Sequence, residues 1–302
     1  MHRPSLIGAL VRVSSALLLA GGAIACGGPS EEDLHRAQAE YHLGVGLMHE
    51  GNLAGAFEHL QESVRLDADN AEAHFLLGTL YLGRQDFPAS ERHLRESLRA
   101  NAALGSAGTP DLNGQARNSL GVLYVLTHRY DEAIAELRLA AEDLMYHTPD
   151  LAWLNIGWAY LEMRDYPSAL EALGQATTRN PLSCNAWYRT GQAHIALGEA
   201  AVGEAAAAEA QGEHFLRAEE ALTHALEIED ERCQALQDAW RARGEIRARL
   251  GRRDDASSDL ERCIELSRET ESGRACAAFL NGDAFANRDD QVNGDGFLEA
   301  SP

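Results

Sequence analysis

The sequence contains no lysine: all 26 of its basic residues are arginine. That absence excludes every chemistry built on a side-chain primary amine, including the phosphate-binding P-loop, the Schiff base and the Ser-x-x-Lys nucleophile. Basic charge is also outnumbered, with 47 Asp and Glu and a formal net charge of −21. Residues 1–25 hold two Arg and no acid, so the remainder sets 24 Arg against 47 acids, a net −23. Such a balance excludes a nucleic-acid partner, which needs basic patches, and keeps an elongated molecule soluble. No Cys-x2-Cys pair occurs, so a zinc site is not expected, and no nucleophile–base or paired-carboxylate arrangement stands out. No metal, cofactor, small-molecule substrate or catalytic residue is therefore expected. Apolar residues make up 45% of the chain, enough for a sizeable buried core.

The first 25 residues differ from the rest. A basic start, Met-His-Arg-Pro, precedes an apolar run through Leu17-Leu18-Leu19-Ala20 and then Ala23-Ile24-Ala25-Cys26. These are the parts of an export signal, and the run is too short for a permanent membrane span. The Ala-Ile-Ala-Cys ending resembles the lipobox of bacterial lipoproteins. That resemblance implies cleavage after residue 25, acylation of Cys26 (palmitate among its acyl chains) and, with Gly27 rather than Asp following, sorting to the outer membrane. An ordinary secretory signal with a chance Cys is the alternative. Residues 26–36 read as an acylated Cys and a short tether.

Internal periodicity carries most of the information. Gly44, Gly78, Gly121, Gly157, Gly191 and Gly244 stand in equivalent contexts. Twelve residues on comes a small residue, Ala56, Ser90, Ala133, Ala169 and Ala256, with Ala218 as the fifth after an insertion. Four further on is Leu60, Leu94, Leu137, Leu173, Leu222 or Leu260, and three beyond that Ser63, Ser97, Ala140, Ala176, Ala225 or Cys263. Small residues at fixed points let two antiparallel helices approach closely, and the Leu is expected to fill the space between units. The spacing resembles the tetratricopeptide repeat (TPR), Trp-x2-Leu-Gly-x2-Tyr followed by Ala-x3-Phe-x2-Ala-x4-Pro, with Trp153, Ile156, Gly157, Tyr160, Ala169, Leu173, Ala176 and Pro181 as its fullest copy. The resemblance implies an all-α, right-handed α-solenoid of six helix-turn-helix units at 37–70, 71–104, 114–147, 150–183, 184–232 and 237–270. Residues 105–113 read as an inserted loop, and the Ala/Glu-rich stretch 199–213 lengthens unit five. Arg243 and Arg247 replace the usual Leu and Tyr, fitting a polar terminal unit that faces water. A capping helix is expected at 271–281 and a disordered acidic tail at 282–302.

In a TPR stack the first helix of each pair lines the concave face, through its positions 5, 9 and 12. Here those positions read Tyr41, Val45, Met48; Phe75, Thr79, Leu82; Asn118, Val122, Val125; Leu154, Trp158, Leu161; and Tyr188, Gln192, Ile195. Most are apolar or aromatic, which marks an interaction surface for a segment of another protein. The alternative is a tightly curled superhelix that buries part of this face. TPR domains that grip C-terminal carboxylates use Lys, Arg and Asn in the groove, and these positions hold no basic residue, so that mode is not expected.

Setting Cys26 aside leaves four cysteines. Cys184 opens unit five and Cys233 follows its second helix, ends that an antiparallel hairpin brings together, so a Cys184–Cys233 disulfide is expected in an oxidising compartment. A Cys263–Cys276 bridge would staple unit six to the capping helix, and the alternative for both is four packed thiols. His35, His42 and His49 recur every seventh residue, about 10.5 Å apart on a helix and too far to share a metal. The tail segment Asn293–Leu298 resembles half of a calcium loop, with Gln291 at the first ligand position and no closing Glu.

One stretch is more specific than the generic repeat. Tyr146-His-Thr-Pro149-Asp-Leu-Ala152-Trp-Leu-Asn155-Ile-Gly157 resembles the joint between middle repeats of type IV pilus pilotins of the PilF/PilW/Tgl kind, where Tyr-x2-Pro-x2-Ala-x2-Asn-x-Gly recurs. The resemblance covers residues 37–200 best. It implies a non-enzymatic, outer-membrane-anchored protein at the periplasmic face that helps a secretin subunit assemble. The first units, through Tyr41, Met48, Phe75 and Leu82, would make the main contact. The alternative from a different class is a general periplasmic adaptor that recruits envelope enzymes or assembly machinery.

Overall fold

A computed structural model describes residues 28–201 and 205–282, except for the side chains of 205–207. The export segment 1–25, Cys26, residues 283–302 of the tail and its calcium-like segment lie outside the described residues. Among the described residues there are α-helices, one 3-10 turn at Gly105–Ala107 and no strand. The helices are α1 (Glu31–His49), α2 (Leu53–Leu66), α3 (Ala71–Gly83), α4 (Phe87–Leu104), α5 (Leu112–Leu126), α6 (Tyr130–Ala141) and α7 (Pro149–Glu162). They continue with α8 (Tyr166–Arg179), α9 (Cys184–Ala200), α10 (Ala205–Glu227), α11 (Glu231–Gln234), α12 (Gln237–Arg249), α13 (Arg253–Leu266) and α14 (Glu271–Leu280). Six antiparallel hairpins result, α1–α2, α3–α4, α5–α6, α7–α8, α9–α10 and α12–α13, each stacked on the next, with α14 packed on the last.

Local chemistry fixes the helix starts. Asn52, Asn70, Asp86, Asp165 and Ser183 each accept a hydrogen bond from the amide three residues on, meeting one of the orphan donors of a first turn. Ser30 and Asp33 form a reciprocal capping box that starts α1 at Glu31. Residues 31–36, expected as tether, are therefore helix, and the first hairpin begins six residues before 37. Likewise α5 begins at Leu112 rather than 114, because Asn101 bonds Thr109 through both its amide groups and holds the preceding loop against α4.

The repeat glycines mark where the two helices of a hairpin touch. A Cβ on Gly157 would lie 2.6 Å from Leu173 Cγ, and one on Gly78 2.7 Å from Leu94 Cγ; the other four glycines meet the corresponding Leu in the same way. The repeat Leu thus covers the glycine of its own unit instead of merely filling the space between units. Leu94 also reaches the next unit, packing with Leu120, Leu123 and Tyr124. Second helices bury one stripe, as α2 does with Ala56, Leu60, Ser63 and Leu66. First helices are enclosed on more sides, and α5 buries eight of its fifteen residues.

Curvature follows from which helices meet across units. First helices approach one another directly, α3 to α5, α5 to α7, α7 to α9 and α9 to α12. They therefore form the inner layer, with the second helices outside. Unit six departs from expectation. Arg243 and Asp259 are not turned to water but buried, in a two-bond pair of 2.9 and 2.7 Å. Arg247 bridges Asp259 and Glu219, and Arg252 also reaches Glu219, so charge replaces apolar packing between α10, α12 and α13.

Candidate functional site: the inner face

The inner face is built from the first helices. Tyr41, Val45, Met48, Phe75, Thr79, Leu82, Asn118, Val122, Trp158, Leu161, Tyr188, Gln192 and Ile195 are all half-buried, rooted in the core with part of each side chain open. Tyr41 and Met48 root beside Leu60 and Leu77, while Phe75, Leu82 and Trp158 root beside the central cluster of Leu120, Tyr124 and Ile156. Two residues expected in the groove are not there to be touched. Val125 is 2% exposed and Leu154 8%: Val125 belongs to the central cluster, and Leu154 packs with Leu173 and Ala176 of its own hairpin and with Ala186 of the next. Burial pushes the Tyr41 and Tyr188 hydroxyls above the ordinary tyrosine range, so both stay neutral donors.

The face is hollowed at its two ends. A cavity of about 530 Å³ beside units one and two is lined by Met48, Leu53, Phe57, Thr79, Leu80 and Arg84. At the other end three adjoining cavities, of about 500, 390 and 280 Å³, all share Tyr188. Gln192 donates to the Tyr188 hydroxyl at 2.9 Å.

Polar residues missed by the 5-9-12 pattern sit one position further along the same helices. Asn155 donates to Asn118 across units at 3.0 Å, and Trp158 Nε1 donates to Glu162 at 3.0 Å. Arg189 lies over the Trp158 ring, 4.8 Å from its centroid, and Arg241 lines the cavities around Tyr188. The inner face of unit five is thus not free of basic residues, as positions 5, 9 and 12 alone implied. The sequence signal was available: Arg189 directly follows a groove position, on the same exposed arc of the helix.

Two disulfides brace the far end: Cys184–Cys233, with Cα atoms 5.6 Å apart, and Cys263–Cys276, at 6.4 Å. Tyr146 of the joint segment is buried beneath α5, where a Cβ on Gly114 would collide with it, and the His147 amide donates to Asp111 at 2.8 Å. Among the described residues no group of three His, Cys, Asp or Glu is placed to hold a metal ion, and no helix is long and apolar enough to cross a membrane.

A curved stack of helical hairpins with a half-open inner face defines the class: an α-solenoid scaffold, whose surface offers contact area along a trough. Sequence profiles of the tetratricopeptide repeat match residues 47–106, 154–214 and 238–270, stretches of 60, 61 and 33 residues that together make up half of the chain. The chain belongs to the tetratricopeptide-repeat family. It is related to the type IV pilus assembly protein PilF of Pseudomonas aeruginosa, at 25% identity over 169 residues, 53% of this chain and 64% of that protein. A chloroplastic tetratricopeptide repeat domain-containing protein of Arabidopsis thaliana is 31% identical over 124 residues, 41% of this chain and 39% of that protein. The chain thus spans less than two thirds of either relative. The solved structure of Pseudomonas aeruginosa PilF superposes with a TM-score of 0.62 at 16% identity, over 82% of this chain and 99% of that one. That of PilW, a widely conserved type IV pilus biogenesis factor, gives 0.59 at 17%, over 79% and 97%. At such identities the superpositions establish the fold.

Proposed function

We propose that this chain is a lipid-anchored pilotin: held to the outer membrane through Cys26, it grips a segment of a secretin subunit along its inner face and helps the secretin assemble for a type IV pilus. The observation that carries the reading is the row of half-open apolar and aromatic side chains, Tyr41, Met48, Phe75, Leu82, Trp158, Leu161 and Tyr188, along successive first helices. Side chains with this mix of rooted base and open edge are the kind that anchor protein interfaces. The relationship to PilF supplies the pilus context. Two or more acyl chains on Cys26, at about 0.8 kcal/mol per buried CH2, would keep the rod at the membrane, where tethering raises the effective concentration of client without any new contact.

Affinity purification of the chain from detergent-solubilised envelopes tests the reading. Secretin monomers should co-purify with the wild type and be depleted with the double variant Phe75→Ser, Trp158→Ser. Normal secretin multimers in cells that lack the chain would refute the pilotin role. Recovery of an envelope peptidase or barrel-assembly protein instead would favour the general adaptor.

A further inference from the structure

The large apolar side chains left in water gather on one side of the stack. Among the described residues the two most exposed, Leu144 at 98% and Leu182 at 73%, lie in the connections that lead from one hairpin to the next, and exposed Met145 accompanies Leu144. Leu104 ends α4 at the mouth of another such connection, and Leu34 and Leu151 lie at the starts of α1 and α7. In antiparallel hairpins all these places fall on one long edge. The opposite edge, where each hairpin turns back on itself, is a helix length away, about 20 Å. It exposes Leu53, Leu126 and Met163, each less open than Leu182.

Beside the connections 180–183 and 228–230 the edge is hollowed by a cavity of about 760 Å³, lined by Pro181, Leu182, Trp187 and Ile228, with Glu227, Glu229 and Asp230 also in its wall. Trp187 Nε1 donates to the Pro181 carbonyl at 2.9 Å, so the half-buried indole needs nothing polar from outside. A ring with an apolar body and a satisfied polar handle suits the boundary between water and hydrocarbon. Charge narrows the choice of partner. The connections 67–70, 105–111, 142–148, 180–183 and 228–230 carry seven acids and no arginine. Such an edge repels an anionic lipid surface and tolerates a zwitterionic one. Helix α1 starts on this same edge, and Cys26 precedes it by five residues, a reach of at most about 17 Å.

We infer that this edge, centred on Leu144, Met145, Leu182 and Trp187, rests on a surface of zwitterionic phospholipid, with its apolar side chains set among the headgroups. The inference rests on the acylated Cys26 of the function proposed above and adds an orientation to it. An anchor at Cys26 alone leaves the rod free to swivel, whereas a second contact several units away fixes it. No helix among the described residues is long and apolar enough to cross a membrane, so the contact is peripheral. With the inter-hairpin edge down, the helices stand away from the bilayer. The trough then opens sideways, along the membrane plane, toward clients held at the same surface.

Photolabelling from the bilayer tests the contact. The mature acylated chain, purified from envelopes, is reconstituted into phosphatidylcholine vesicles that hold a phospholipid with a diazirine near its glycerol end. After irradiation the labelled residues are mapped by mass spectrometry. Label on Leu144, Met145 and Leu182 should exceed that on Leu53, Leu126 and Met163 about tenfold, because the second set stands a helix length from the bilayer. Including phosphatidylglycerol should lower the label on the first set, and a rise would overturn the zwitterionic assignment. The double variant Leu144→Asp, Leu182→Asp, at positions too exposed to disturb folding, should lose most of the label at Met145 while label beside Cys26 persists. Label confined to residues 26–34, or equal on both edges, would overturn the edge contact and leave the anchor standing. An intact mass without acyl chains would remove the anchor, and the edge contact with it.

Discussion

Left-handed backbone marks the turn of five of the six hairpins, and the residue supplying it falls seven positions after the repeat glycine. Gly51 and Gly251 adopt it without cost, but Gln85, His128 and Arg164 hold φ near +60° with a Cβ in place. Unit five has no such residue at the matching position, Gly198, because its insertion carries α9 straight through. Relief of that strain gives the first prediction: Arg164→Gly should stabilise the fold by about 1 kcal/mol, read from the shift of a urea midpoint at constant slope. No gain would mean that the turn is not strained. The histidine pairs give a second. His74 and His93 face each other Nδ1 to Nδ1 at 3.0 Å, and His194 and His214 at 3.2 Å, each pair linking the two helices of one hairpin. Burial, and then the facing imidazole, depress His93 and His194 to about 4. Arg92 and Glu96 also act on His93, and Arg217 and Glu213 on His194. With a folded pKa below the unfolded value of about 6.5, the unfolded chain takes the proton first. Stability from these pairs is therefore fully present above pH 6.5 and lost as the pH falls towards 4. Carboxylates such as Asp230, held at about 2 by the Arg232 guanidinium, lose their share only at lower pH. The unfolding midpoint should thus drop between pH 6.5 and 4, and the double variant His93→Gln, His194→Gln should flatten that drop. An unchanged slope would contradict the assignment.

Among elements, the hairpins of units one to four were legible because a small, a branched and another small residue recur at fixed spacing, and the structure shows why: each Leu lies on its own glycine. What was illegible depends on a side chain's actual partner, near or far in the chain. Ser30-Glu-Glu-Asp looks like a polar tether until the capping box is seen to start a helix there. Arg243 and Arg247 look like a solvated end because their partners Asp259 and Glu219 lie 12 to 28 residues away on other helices. The inner face was legible as a stripe but not in depth. Helix position says which side Val125 and Leu154 occupy, whereas the neighbouring helices decide that both are covered. The α12–α13 hairpin carries the third prediction. Asp259→Asn leaves two guanidiniums facing a neutral amide in a buried place, and should cost about 3 kcal/mol by calorimetry or urea titration. A loss below about 0.5 kcal/mol would mean that water reaches the network.

At the scale of the molecule, six stacked hairpins set first helices inside and second helices outside, and leave aromatic side chains of the first helices half-open on the inner side. A net charge of −21 disfavours strongly acidic clients for the trough proposed above. The most direct measurement is photo-crosslinking in intact cells, with benzoylphenylalanine placed singly at inner positions 45, 79, 122 and 192 and at outer positions 58, 92, 138 and 171. The account predicts that one client protein is captured from the inner positions, in register along the trough, and not from the outer ones. Capture from outer positions alone, or no capture from any inner position while the client still co-purifies, would contradict it.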